Sequence, residues 1–151
     1  MAKRTNQRNL YSSAKQVIKN DAYSSDNEKI AWCFDMIDRS GKFAFDLSRE
    51  DFKLYDVMEK IVDYGSMTWS EVKKQTHDKG KSKHHTLAIE SLSREALERF
   101  KIRRLDDYSD SLFSFAFQNK LRIIGIRDKA FFRVLWYDPE HEVCPSTKKN
   151  S

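Results

Sequence analysis

The chain has 151 residues, 39% of them hydrophobic and 34% charged, with a formal net charge of +5. That balance suits one domain with a sizeable core and excludes a disordered polymer. It also excludes a helical membrane span, because no run approaches the roughly 20 apolar residues that crossing requires. Cys33 and Cys144 are too few for a disulfide framework and lack metal-ligand spacing. The basic start Met1–Asn6 is not followed by the apolar stretch of a signal peptide, so a cytoplasmic location is expected.

Residues 1–28 are polar and basic, with a weak apolar spacing at Leu10, Ala14, Val17 and Ile18; they read as an N-terminal arm. A single α+β domain is expected over 29–146, followed by a polar tail at 147–151. Ile30, Trp32, Phe34 and Met36 alternate as in a strand, and the turn Arg39–Lys42 allows Phe43–Phe45 to pair back as a hairpin. Ser48 with Asp51 resembles a helix start, and Phe52, Tyr55, Met58 and Ile61 or Val62 recur as one buried stripe up to Gly65. Thr68 and Glu71 predict a capping box for a second helix running to about Thr76. A lysine-rich loop follows to Lys83, His85–Ile89 is a brief extended segment, and Ser93 caps a third helix.

The last third carries the strongest strand pattern. Phe113, Phe115 and Phe117 alternate with small residues, Asn119-Lys120 turns the chain, and 121–127 and 131–137 form two more strands ending at Asp138-Pro139. The expected architecture is α+β: an N-terminal strand or hairpin, two to three helices packed on one sheet face, and a C-terminal three-stranded antiparallel meander. A two-residue turn at Asp128-Lys129 would pair Arg127 with Ala130 and Ile124 with Arg133. Leu121, Ile123, Phe132, Val134 and Trp136 would then face inward. Arg122 and Arg133 would lie as diagonal neighbours on the other face, both able to reach one phosphate. Ile124, Ile126 and Leu135 share that second face, which is too apolar for water and calls for a cover: the N-terminal arm, a partner or a ligand.

Candidate functional groups follow from side-chain chemistry. Arg122 and Arg133, with Lys79, Lys81 and Lys83 of the loop, suit nucleic-acid phosphates. His84, His85 and His141 are candidates for proton transfer. Asp106, Asp107 and Asp110 lack a coordination loop and read as a solvated helix end; no metal or cofactor is expected. A glycine-rich phosphate loop, a nucleophile elbow and zinc-finger spacing are all missing from the sequence, which removes most nucleotide-dependent and hydrolase classes.

The run Leu121-Arg122-Ile123-Ile124-Gly125-Ile126-Arg127, followed by Phe132–Tyr137 and Asp138-Pro139-Glu140-His141-Glu142-Val143-Cys144-Pro145-Ser146, resembles small prokaryotic proteins of mobile elements. That resemblance covers about a sixth of the chain and implies no particular activity. In element order and in its arginine- and aromatic-rich meander, the chain also resembles the RelE/ParE toxin superfamily. No residue-by-residue motif accompanies this second resemblance, and the extra helix and lysine loop depart from it. It implies ribosome-dependent mRNA cleavage, with Arg122, Arg127 and Arg133 as positive groups for the scissile phosphate, Tyr137 or a histidine for proton transfer or stacking, and RNA or the ribosome and an antitoxin protein as partners. A non-catalytic nucleic-acid- or ribosome-binding module and a protein-interaction domain of a mobile-element or phage-defence system are the alternatives.

Overall fold

The computed structural model describes residues 25–145. Most of the N-terminal arm, residues 1–24, and the polar tail lie outside the described residues. The elements are β1 (Ala31–Cys33), α1 (Leu54–Gly65), α2 (Trp69–Lys74), β2 (His85–Ala88), α3 (Arg94–Ile102), β3 (Ser111–Ala116), β4 (Arg122–Asp128) and β5 (Phe131–Asp138). Short 3-10 turns at Ile89–Ser91 and Leu105–Asp107 flank α3.

The fold is α+β, and the antiparallel meander β3-β4-β5 forms as the alternation predicts. The sheet is larger than three strands. Its order is β1-β5-β4-β3-β2, with β1 parallel to β5 and every other pair antiparallel. The expected N-terminal hairpin is therefore corrected. β1 lies against β5, while 43–45 meets the sheet through an Ala44–Trp136 bridge and a hydrogen bond from Tyr137 N to Phe43 O.

Helices cover both faces, not one. Val57 and Tyr64 of α1 and Trp69 and Val72 of α2 pack on Phe113, Phe115, Ile123, Phe132 and Val134. Ala96 and Phe100 of α3, with Phe43, Leu92, Leu105 and Val143, pack on Leu112, Ile124, Ile126, Leu135 and Trp136. The apolar second face inferred from Ile124, Ile126 and Leu135 thus has its cover within the chain. Both faces are dry, which is why the central strands carry unbroken apolar runs such as Val134–Tyr137.

The β4–β5 turn sits one residue later than the sequence suggests. Asp128 pairs with Phe131 and Ile126 with Arg133, leaving Lys129-Ala130 in the loop, with Lys129 at φ 59°. A bulge then interrupts the ladder, since Gly125 pairs with Val134 but Ile124 with Trp136. Gly125 is required there: a Cβ would lie 2.1 Å from the Arg133 carbonyl oxygen and 2.9 Å from the Phe132 ring. The extra residue turns Trp136 to the α3 face and Tyr137 to the other, reversing the expected position of Trp136.

Helix ends follow local chemistry to differing degrees. The Thr68–Glu71 capping box forms in both directions, at 3.1 and 2.9 Å, and Ser93 accepts from Ala96 N. Ser48 caps no helix. Asp46 Oδ1 ties up both its N–H and its hydroxyl, and α1 begins six residues later. Residues 25–28 belong to the fold: Ser70 N donates to Asp26 O, Trp69 N to Glu28 O, and Lys73 pairs with Asp26 at 3.0 Å.

Candidate functional site

The shifted ladder separates the two arginines expected to work together. Arg122 pairs with Asp138 at one end of the sheet, whereas Arg133 sits near the β4–β5 turn, held by Asp35 at 2.6 Å and Asp128 at 3.3 Å. No shared anion site exists between them. Arg127 is also engaged elsewhere, pairing with Asp26 at 2.8 Å and lying 4.2 Å from the Trp69 ring centroid. Its work is to fasten residue 26 against α2.

Tyr137 and His84 are structural for a similar reason. The Tyr137 hydroxyl donates to Asp51 O at 2.7 Å and accepts from Lys53 N at 3.0 Å, while its ring stacks on Phe52. It satisfies a backbone donor at the start of α1 that no side chain of that segment caps. His84 Nδ1 accepts from Ala116 N at 3.0 Å, completing the β3 edge just before β2 begins, and Nε2 lies 2.8 Å from Gln75 Oε1. Those partners fix a neutral ring with its proton on Nε2.

Burial, with Lys83, His85 and Arg122 nearby, pushes the His84 imidazole down to about 3. The unfolded chain therefore binds a proton between pH 6.5 and about 3 that the native chain refuses. The His84 contribution is complete above pH 6.5 and declines by about 1.4 kcal/mol per pH unit as pH falls through that window. Denaturant titrations from pH 7 to 4 should show this slope, and His84→Gln should flatten it. An unchanged slope would place the acid sensitivity elsewhere.

The fold puts Arg122 and His85 on one side of the sheet and His141 within reach of their charges. Register places Arg122 opposite Ala116 on β3 and His85 opposite the neighbouring Ser114. Strand alternation puts Arg122 and His85 on the α3 side, since each is two residues from Ile124 or Leu87 of that core. Ala116 offers only a methyl group between them. His141 arrives from the loop after β5. Asp138 accepts from Glu142 N at 2.9 Å and Val143 N at 2.8 Å, clamping a loop in which His141 holds φ 60°. Such a left-handed conformation is uncommon for a residue other than glycine.

The charges of these groups act on one another. Burial and the Arg122 charge hold His85 below its ordinary value, with a further push from His77. Burial, Arg122 and His85 do the same to His141. Burial depresses the Arg122 guanidinium too, with Asp138 partly offsetting it. Arg122 Nη1 donates to the carbonyls of Asn119 (2.8 Å) and Leu121 (2.9 Å), which anchors the group and leaves donors for a ligand. The Asp138 carboxylate is committed to backbone N–H groups, so basic groups predominate here.

Beside this cluster the lysine loop forms a tight turn. His77 N donates to Lys81 O, Lys83 N to Gln75 O, and Gly80 takes φ 80° at the tip. Lys79, Lys81 and Lys83, with Thr76, His77 and Asp78, line an open groove of about 370 Å³. Among the described residues, no group of three His, Cys, Asp or Glu side chains converges as a metal site requires. No described helix is long and apolar enough to cross a membrane.

His77 and Asp138 were not singled out from the sequence as parts of this site. The clue for Asp138 is an aspartate before proline at a strand end, a pattern in which the side chain often bonds backbone N–H groups ahead of it. His77 carried no comparable signal. No protein family, no curated protein and no solved structure is matched by this chain.

Proposed function

We propose that the chain is a toxin-like RNA-acting protein that cleaves phosphodiester bonds at Arg122, His85 and His141. The observation that carries this reading is an anchored guanidinium on the same side of the sheet as the exposed His85, with a charge that reaches both His85 and His141. Arg122 binds the non-bridging phosphate oxygens through its planar fork of donors. One neutral imidazole removes the proton of the ribose 2′-hydroxyl as that oxygen attacks phosphorus. The other, protonated, donates to the departing 5′-oxygen. The P–O2′ bond forms as the P–O5′ bond breaks, giving a 2′,3′-cyclic phosphate and a free 5′-hydroxyl. Lys79, Lys81 and Lys83 take the phosphates that flank the cleaved one.

Both imidazoles favour their neutral forms because of burial and Arg122. An arriving phosphate reverses that electrostatic pressure and draws a proton onto one of them. Oligonucleotide affinity should therefore rise as pH falls from 8 to 6, with proton uptake measurable by calorimetry in buffers of different ionisation enthalpy. Cleavage is tested with single-stranded RNA, alone and with ribosomes, against the same sequence carrying 2′-deoxyribose. The expected result is 2′,3′-cyclic ends from RNA and an intact deoxy strand. Equal cutting of both strands would overturn the mechanism. Salt-dependent RNA binding with no cleavage in either setting would favour the non-catalytic module, a reading that the lysine groove supports.

A further inference from the structure

A second surface, away from the histidines, carries its own chemistry. Tyr55, Met58 and Val62 of α1 were expected in the buried stripe, yet they are 76%, 48% and 65% exposed, and Leu54 is 52% exposed. Leu54, Met58 and Val62 follow one another at four-residue spacing, so they form one ridge, with Tyr55 beside it. Val57 and Tyr64 take the core-facing side instead. Of the nine large hydrophobic side chains exposed among the described residues, five lie between Leu47 and Val62. Such clustering is unusual for a surface meant only for water.

One flank of this ridge is acidic. Helical geometry places Glu59, Asp63 and Asp56 along its side, and residues 46–63 hold six acids against three bases in a chain of net +5. We propose that α1 is a docking surface for a partner's amphipathic helix, with an apolar stripe for Leu54, Met58 and Val62 and lysines or arginines facing Glu59 and Asp63. The acidic row selects among occupants. A second copy paired antiparallel would set the two rows of carboxylates side by side, which repel. An anionic lipid surface meets the same repulsion. A basic-rimmed helix gains from both the ridge and the row, and three turns match the 12 residues of α1.

The test uses the full chain and two labelled synthetic amphipathic peptides, identical in their leucine positions and bearing either lysine or glutamate on the polar side. Fluorescence anisotropy should show saturable binding of the lysine peptide, weakened about tenfold or more by Met58→Asp. The double change Glu59→Lys with Asp63→Lys should transfer preference to the glutamate peptide. Because these side chains are exposed, circular dichroism and melting should stay as in the parent, and RNA cleavage should be unchanged. The proposal is overturned if the lysine peptide binds equally well to Met58→Asp. It is also overturned if the charge reversal leaves the preference intact. Sedimentation showing a dimer that Met58→Asp dissolves would assign the surface to a second copy, and binding to anionic vesicles in place of peptide would assign it to lipid.

Discussion

His141→Ala and His85→Ala should each lower single-turnover RNA cleavage by about 10²–10⁴-fold, the usual contribution of a positioned acid or base. Neither substitution should alter the melting temperature much, because both rings sit at the margin of the fold and anchor no core element. The double variant should fall little below the worse single one if the two imidazoles serve one step, since groups that act as a unit are not additive. Arg122→Ala should also abolish cleavage and relieve any growth arrest caused by expression, while Arg122→Lys should recover only part, lacking the planar fork. Arg133→Ala is the informative contrast: Asp35 and Asp128 already hold that guanidinium, so cleavage should persist. Loss of activity in Arg133→Ala but not in Arg122→Ala would move the site to the other end of the sheet.

The pH profile sharpens this test. Burial and the Arg122 charge depress both imidazoles, so the acidic limb of cleavage should lie below the ordinary histidine range. Removing the Arg122 charge should let both titrate closer to their ordinary values. Titration of the two imidazoles in Arg122→Ala, followed by NMR, reads this directly, and a purely structural arginine would leave both unmoved.

Asp38→Ala should cost the fold about 3–5 kcal/mol, the usual penalty for breaking a buried ion pair from one side. Asp38 is 3% exposed and joins three parts of the chain. Its Oδ2 accepts from Trp136 Nε1 and Arg99 Nε, both at 3.0 Å, and Oδ1 accepts from Arg99 Nη2 at 2.7 Å. Its backbone adds bonds to Leu135 O and from Phe45 N, so the segment before Phe45, helix α3 and strand β5 meet on one residue. Without the carboxylate, the guanidinium and the indole N–H lose their acceptor together.

Burial alone would raise the Asp38 carboxyl, but the hydrogen bonds from Arg99 and Trp136 outweigh it and hold it below the usual range. Its stabilisation is therefore present above the unfolded aspartate value and is lost as pH falls through the lower native one. Urea unfolding at pH 7 should show the full loss in Asp38→Ala, and a smaller one in Asp38→Asn, which keeps an acceptor for the indole. A change below about 1 kcal/mol would show that the pair is compensated by its desolvation.

The meander was legible because Phe113–Phe117 alternate and two short turns separate the strands that follow. The capping box at Thr68 was legible because both partners lie within four residues. The placement of β1 was not, since a parallel pairing across the whole chain leaves no local mark, and Trp32 looks the same beside either neighbour. The double-sided core was half legible: Ile123-Ile124 and Val134–Tyr137 are too apolar for a strand with one wet face. The site failed at one detail. A bulge at Gly125 shifts register without changing composition, and the arginine pairing rested on an unbroken ladder. His85 reaches the side of the sheet that holds Arg122 through strand order, which no spacing in the sequence records.

The parallel seam between β1 and β5 has a consequence during synthesis. Its two sides are about a hundred residues apart, so at roughly 5–20 residues per second the early strand waits several seconds for its neighbour to be made. Ile30 and Trp32 spend that interval without the surface that later encloses them. His141 is translated after the closing strand, so Arg122 and His85 cannot share a surface with it until β5 and the loop that follows have emerged.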